Sequence, residues 1–403
     1  MPSVNIYEKD LTTSNGTLTS DIVAYVPGVF GENGDESLVD TPTLCSSLAE
    51  FERKFGRHTT QILNTNLENN IGWIYAHTLL GLGLKVLYEV PSKTGEVGTA
   101  CKTKDEIIAA LKKAEFWAKL ADKDMYDFTF LTSGGIVDDE GAISGNMVGI
   151  AGESSNSSKR DDIIVLFDHK KDATAENVKE MLKTPSGTYV AKFSPWCKFE
   201  IPGCEGDVIL PGSFAYLNAF ATAGSQEASW LARAGAQRGL ISYLKEPLIK
   251  FTAAQRDALL ARDSENGAIN PITLINPYGY LVWGNRTNLQ NDTSTGDGLK
   301  ASSFLNIRVG LCGLKKIIHQ ASRRLTYEQL DDLLWVKFKN LVTPYLDKML
   351  YGRGVRGYKL IRIDSVKKAT LECKVLLLPI EAVEDFEISI ELRDSFDSVR
   401  EGE

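Results

Sequence analysis

TKDEIIAALKKAEFWAKL, residues 103–120, is followed after a short turn by FTFLTSGG, residues 128–135. Thr103-Lys104-Asp105-Glu106 is a capping box. The threonine oxygen accepts the backbone amide three residues on, and the glutamate reaches back to the cap. Ile107, Leu111, Ala114, Trp117, Ala118 and Ala121 then recur at helical spacing, which predicts a helix over 103–120. Phe128 to Leu131 reads as a strand that stops at Ser133-Gly134-Gly135. The same alternation extends on both sides. Strands are expected at 21–26, closed by Pro27-Gly28, and at 84–90, 163–167 and 188–191. Helices are expected at 43–55, with Thr43 as N-cap, and at 174–183. Strands alternating with helices imply a mixed α/β domain.

Further along, residues 251–263 read as a helix capped by Thr252. Residues 269–272 are extended because the residue before a proline avoids the helical region. Leu281-Val282-Trp283-Gly284 continues as a strand, and 288–300 is a polar loop. In the C-terminal third, Phe304, Ile307, Leu311, Leu314 and Ala321 form one helical stripe. Leu330, Leu334, Phe338, Leu341 and Tyr345 form a second, ended by Gly352-Arg353-Gly354. Strands follow at 358–364 and 371–378. Phe386-Glu387-Ile388-Ser389-Ile390-Glu391-Leu392-Arg393 alternates strictly, with apolar residues on one face and polar residues on the other.

The chain has 403 residues, room for two or three domains. It carries 45 Lys and Arg against 53 Asp and Glu, a net charge of −8. That balance argues against direct nucleic-acid binding, whose usual mark is a basic surface. Hydrophobic residues at 43% and charged residues at 24% exclude a mostly disordered chain. No run approaches the roughly 20 apolar residues a membrane span needs, and the N-terminus lacks a signal-peptide pattern. No membrane insertion is expected. The six cysteines are scattered, which predicts reduced thiols in a cytosolic setting.

A search for chemistry returns little. The four histidines, His58, His77, His169 and His319, form no H-E-x-x-H pair and no spacing with cysteine that suits zinc. His77 lies in an apolar helical run and reads as a structural histidine. His319 sits among Lys315, Lys316, Arg323 and Arg324, cations that would hold it neutral. There is no phosphate-binding loop and no G-x-S-x-G elbow. Gly81-Leu82-Gly83-Leu84 lacks the third glycine of a dinucleotide fingerprint, with Val86 in its place. No catalytic residue, no metal and no cofactor is expected. One alternative stays open: a cytosolic α/β enzyme with a strand-end site near Ser133, Gly134 and Gly135.

The two ends give another clue. A regular strand with a free edge is an association hazard, so residues 386–393 should pair with something. Pairing within the subunit and addition to a neighbour's sheet are both open on pattern alone. Val4, Asn5, Ile6 and Tyr7 form a detached strand-like piece at the other end and raise the same question. Charge is segregated as well. Residues 308–374 hold 15 Lys or Arg against 6 Asp or Glu, and residues 375–403 hold 2 against 9.

Several stretches together are similar to the sheath proteins of contractile phage tails, phage-tail-like bacteriocins and contractile injection systems. They are Val23-Ala24-Tyr25-Val26-Pro27-Gly28, Trp230-Leu231-Ala232-Arg233-Ala234-Gly235-Ala236-Gln237-Arg238-Gly239, Gly267-Ala268-Ile269-Asn270-Pro271-Ile272 and Gly279-Tyr280-Leu281-Val282-Trp283-Gly284-Asn285-Arg286-Thr287. The resemblance is strong over 225–403 and weak over 30–220. It departs at Arg233, where that family often has proline. It implies a non-enzymatic structural protein with an N-terminal arm (1–20), a variable α/β region (21–224), a sheath-type C-terminal α/β domain (225–385) and a C-terminal arm strand and tail (386–403). It further implies hexameric rings stacked helically around an inner tail tube, with baseplate and tail-terminator or neck proteins as further partners. The location implied is a virion tail or phage-tail-like particle assembled in the bacterial cytoplasm. Val4, Asn5, Ile6, Tyr7, Phe386, Ile388, Ile390 and Leu392 would be the strands exchanged between subunits. Lys315, Lys316, Arg323, Arg324, Lys337 and Lys339 would include the contacts to an acidic tube surface.

Overall fold

The computed structural model describes residues 21–58, 67–153, 159–183, 186–224, 227–263, 266–290, 300–363 and 368–382. The expected arm residues Val4 to Tyr7 and Phe386 to Leu392 lie outside them.

The strands are β1 (Val23–Pro27), β2 (Thr43–Cys45), β3 (Lys85–Glu89), β4 (Phe130–Leu131), β5 (Ile164–Phe167), β6 (Val190–Ser194), β7 (Cys197–Phe199), β8 (Val208–Leu210), β9 (Leu244–Pro247), β10 (Asn270–Ile275), β11 (Gly279–Val282), β12 (Val355–Ile363) and β13 (Glu372–Pro379). The helices are α1 (Leu48–Phe55), α2 (Ile71–Gly81), α3 (Lys104–Leu111), α4 (Ala114–Ala118), α5 (Ala142–Gly149), α6 (Val178–Met181), α7 (Gly212–Thr222), α8 (Gly235–Arg238), α9 (Ala253–Leu260), α10 (Leu305–Leu325) and α11 (Asp332–Tyr351).

Eight strands form one sheet in the order β11-β10-β6-β5-β4-β1-β3-β2. The six from β3 to β10 run parallel, and the two edges are antiparallel. β1, β5 and β6 are buried along their whole length, as strands covered by helices on both faces must be. One covering helix is α2, whose residues are all buried except His77 and Gly81. A helix that is apolar on every side belongs inside. A small antiparallel sheet, β8-β7-β9, flanks this unit, and β12-β13 stands apart as a two-stranded ribbon.

The expected α/β class holds, and the capping boxes at Thr103 and Thr252 are both formed. Three local expectations change. Thr43 starts a short edge strand paired to β3, and the helix begins at Leu48 with the Ser47 hydroxyl as its cap. The helix expected over 103–120 breaks between α3 and α4, where the Trp117 indole donates to the Leu111 carbonyl at 2.7 Å and replaces a helical bond. The strand expected at 281–284 ends at Val282. β10 and β11, which follow residue 224, extend the main sheet from β6.

Packing divides inside α10. Its first half gives Leu305, Val309 and Cys312 to the main core. Its second half gives Leu314, Ile317 and Ala321 to a second core with Trp230, Phe338, Val342, Tyr345, Leu346, Met349 and Val355. Trp230 is the centre of that second core. A β-carbon on Gly310, Gly352 or Gly354 would come within 2.9, 2.8 or 2.7 Å of Trp230 atoms, so three glycines leave the space its indole and backbone occupy. The indole NH donates to the Gly352 carbonyl at 2.9 Å, and Tyr345 meets the ring edge-on.

At the C-terminal ends of the parallel strands, Asp168 holds the start of α7. Its carboxylate accepts from the Ser213 amide at 2.9 Å and the Ser213 hydroxyl at 2.5 Å. Tyr75 Oη lies 3.0 Å from the same hydroxyl. Burial pushes the Asp168 carboxyl up to about 7, against the opposing pull of the two Ser213 bonds.

Two outcomes follow from this packing. Trp230→Ala should cost about 3–5 kcal/mol, the usual range for a buried tryptophan truncation. Hydrogen exchange should show the loss in α11, β12 and β13, with β1, β4 and β5 little affected. Asp168 binds its proton more tightly in the fold than in the open chain, so its stabilising share is complete in acid and is lost as pH rises toward and through about 7. Asp168→Asn should therefore flatten the fall in melting temperature between about pH 4 and pH 8, and calorimetry across that range measures it.

Candidate assembly surfaces

In an open α/β sheet, ligands bind where neighbouring strands leave in opposite directions, at their carboxyl ends. Here that point lies between β1 and β4, beside Ser133, Gly134 and Gly135. It is a packed joint. Gly134 and Gly135 have φ of +66° and +81°, a region that favours glycine. A β-carbon on Gly134 would sit 2.5 Å from the Pro27 carbonyl oxygen, and one on Gly135 would sit 2.6 Å from an Ile71 methyl. Ser133 is 5% exposed, and no acid or base bonds its hydroxyl among the described residues. Close packing of α2 and α7 on the strand ends occupies the place a substrate would need. Among the described residues no group of three or more His, Cys, Asp or Glu could hold a metal, and no helix is long and apolar enough to cross a membrane. The six cysteines are free thiols, and burial pushes the fully enclosed Cys197 well up.

The basic set divides. Lys316 is 4% exposed, with its ammonium 2.6 Å from Asp127 Oδ1 and 3.0 Å from Thr129 Oγ1. Lys315 bonds Asp161 and the Tyr189 hydroxyl, each at 3.0 Å. Both lysines thus belong to a seam between α10 and the amino ends of β4, β5 and β6. Arg160 lies deeper in that seam, paired with Asp162 at 2.8 Å. Desolvation pulls Lys316 down, and Asp127 opposes it. Arg323, Arg324 and Lys339 are exposed, and Lys337 is half-buried. Arg323 pairs with Asp124, and Lys337 with Glu328 at 2.9 Å. These four surround the end of α10 and the first turns of α11. His319 also differs from its expected all-cationic surroundings, since its Nε2 lies 2.8 Å from the Asp124 carboxylate. Asp124 is 195 residues away in sequence. Nothing in the residues around His319 points to it.

The quoted motif residues are architectural. Asn270 donates to the Lys192 and Arg286 carbonyls and accepts from the Arg286 amide. Asn285 and Asn306 bond each other at the start of α10, and Asn306 donates to the Trp230 carbonyl at 3.0 Å. Thr287 reaches the Ser302 and Ser303 carbonyls. Arg233 is 2% exposed. It lays its guanidinium over Phe220 at 4.5 Å and donates to the Glu227 carbonyl at 3.0 Å, so the loop wraps an arginine.

The β12-β13 ribbon pairs antiparallel along its length, with a register shift between Val355 and Gly357. Tyr358, Leu360, Cys373, Val375 and Leu377 face the second core, and Leu376 and Leu378 face outward at 42% and 66% exposure. Among the described residues neither strand has a second neighbour. An isolated two-stranded ribbon is marginal in water, and open edges are templates for further strands.

No family model matches the chain. It is 28% identical over 156 residues to the tail sheath protein of Vibrio phage KVP40, which covers 38% of this chain and 21% of that relative. The chain therefore spans only about a fifth of that relative's length. Three solved structures match almost end to end. The sheath of an extracellular contractile injection system, the PVC complex in its contracted state, aligns with a TM-score of 0.66 and 14% identity over 98% of both chains. The contracted helical sheath of the anti-feeding prophage aligns with a TM-score of 0.64 and 14% identity over 97% of this chain and 98% of that one. A chain of the six-fold symmetrised anti-feeding prophage baseplate gives 0.63 and 13% over 98% and 99%. The resemblance read from the sequence thus stands: this chain is similar in sequence to a phage tail sheath protein and has, over nearly its whole length, the fold of contractile injection system sheaths.

Proposed function

We propose that the chain is the repeating structural subunit of a contractile sheath, in the tail of a phage or a phage-tail-like particle assembled in the bacterial cytoplasm. Subunits form hexameric rings stacked helically around an inner tube, with baseplate and tail-terminator or neck proteins at the ends. The observation that carries this reading is the β12-β13 ribbon, two strands wide with both edges open among the described residues. The arm residues Val4 to Tyr7 and Phe386 to Leu392 of neighbouring copies add to those edges. Each backbone hydrogen bond so made is worth roughly 0.5–1.5 kcal/mol net. Such ladders hold while subunit bodies rotate about residues 11–20 and 380–385. Contraction releases energy by enlarging apolar contact between subunits, at roughly 25 cal/mol per Å². It requires no catalytic residue and no cofactor. The domain limits proposed with this reading are 1–20, 21–224, 225–385 and 386–403.

In this reading Arg323, Arg324, Lys337 and Lys339 meet an acidic tube surface, and the exposure of three of them supports it. Lys315 and Lys316 position α10 behind them.

Negative-stain microscopy of the purified full-length chain should show striated hollow tubes. Removal of residues 386–403 should leave the far-ultraviolet circular dichroism unchanged and abolish the tubes. Polymerisation by the truncated chain would defeat the arm exchange. Charge reversal of Arg323, Arg324, Lys337 and Lys339 together should weaken co-sedimentation with the inner tube more than tenfold and leave sheath polymerisation intact. Unchanged attachment would remove these residues from the tube interface.

A further inference from the structure

A stack of rings joins α1 to α2. Trp73 lies between two histidines. His77 stacks on it at 4.4 Å and 21°, and His58 meets it edge-on at 4.7 Å and 81°. Phe51 of α1 packs 5.7 Å from Trp73 and 6.4 Å from His77. Phe51 also contacts Tyr88 of β3, so the stack connects to the sheet.

Among the described residues, both ring nitrogens of His58 and the Trp73 indole nitrogen are buried without a hydrogen-bond partner. Native structures rarely leave such atoms unsatisfied. An imidazole is held neutral in this place, because its two nitrogens are enclosed and no described carboxylate pairs with it, so the cation would lack a counter-ion among the described residues. The charged groups nearby do not supply one. Glu52 of α1 lies 3.3 Å from His77 and 2.6 Å from Arg57, and neither Glu52 nor Arg57 bonds His58. α2 offers no charged side chain other than His77, and the facing residues Phe51 and Tyr88 carry none. Burial pushes His58 down to about 4, with His77 adding to the effect. Burial also lowers His77, and Glu52 opposes that.

We infer that the His58–Trp73–His77 stack is an acid-sensitive latch: protonation of His58 opens the packing of the α1 end against α2 while the central sheet stays folded. A histidine whose folded affinity for protons is depressed stabilises the fold above its ordinary value of about 6.5. That share is lost as pH falls from about 6.5 toward 4, because the opened form binds the proton more tightly. The inference stands on the ring geometry and does not depend on the sheath reading.

The test uses the full-length chain between pH 7.5 and 4. Trp73 emission is isolated as the difference between wild type and Trp73→Phe. Hydrogen exchange is followed at residues 51–58 and in β1 and β5. The expected result is a reversible change in Trp73 emission with a midpoint between about 6.5 and 4, accompanied by at least about tenfold faster exchange at 51–58. Exchange in β1 and β5 should not change. His58→Phe keeps a ring that cannot charge and should abolish the transition. His77→Gln removes a nearby cation and should move the midpoint upward. His58→Gln serves if the phenylalanine variant does not fold. The inference is overturned if wild type shows no change down to pH 4, if an uncharged variant at 58 shows the same transition, or if exchange accelerates in β1 and β5 together with 51–58.

Discussion

The fit of one tryptophan against three glycines is the contact on which the C-terminal half depends. Trp230 touches α10 at Gly310 and the end of α11 at Gly352 and Gly354, and its carbonyl receives Asn306. Close-packed interiors transmit small volume changes, so a side chain on any of those glycines would displace the helix pair rather than a single ring. α10 passes through both cores. A shift at Trp230 would therefore act first on α11 and the ribbon, whose core it shares, while the first half of α10 stays anchored in the main core.

Charge adds register to that fit. Lys315, Lys316, Asp127, Asp161, Asp162 and Arg160 fix how far α10 slides along the strand ends. A buried ion pair contributes little net stability, because desolvation offsets much of the attraction, and setting a register is its better attested use. A subunit that must hold its shape while its neighbours move gains from such a seam. The strand ends opposite are closed by glycine contacts and by Asp168 bonded to Ser213, so the sheet's usual ligand crevice is part of the packing.

The ribbon is the contrasting element. It buries one face on the second core, leaves Leu376 and Leu378 outward, and keeps both edges open among the described residues. A packed body that carries one sheet with open edges is suited to assembly by strand addition.

The sequence alone determined whatever rests on neighbours within a few residues. The capping box at Thr103, the N-cap at Thr252, the apolar α2, the two long helical stripes and the strand–helix alternation were legible because period and cap chemistry are local. The motif around Trp230 was legible as a family mark, and its physical purpose was not, since Gly310, Gly352 and Gly354 lie 80 to 124 residues away. The helix break at Lys112-Lys113 depended on the Trp117 indole finding the Leu111 carbonyl. The separation of Lys315 and Lys316 from Arg323, Arg324, Lys337 and Lys339 needed Asp127 and Asp161, which pair with the first two from strand ends far back in the chain. A run of basic residues on a helix reads as one face, and only the fold decides which of them meet carboxylates, because the Coulomb interaction depends on distance in space.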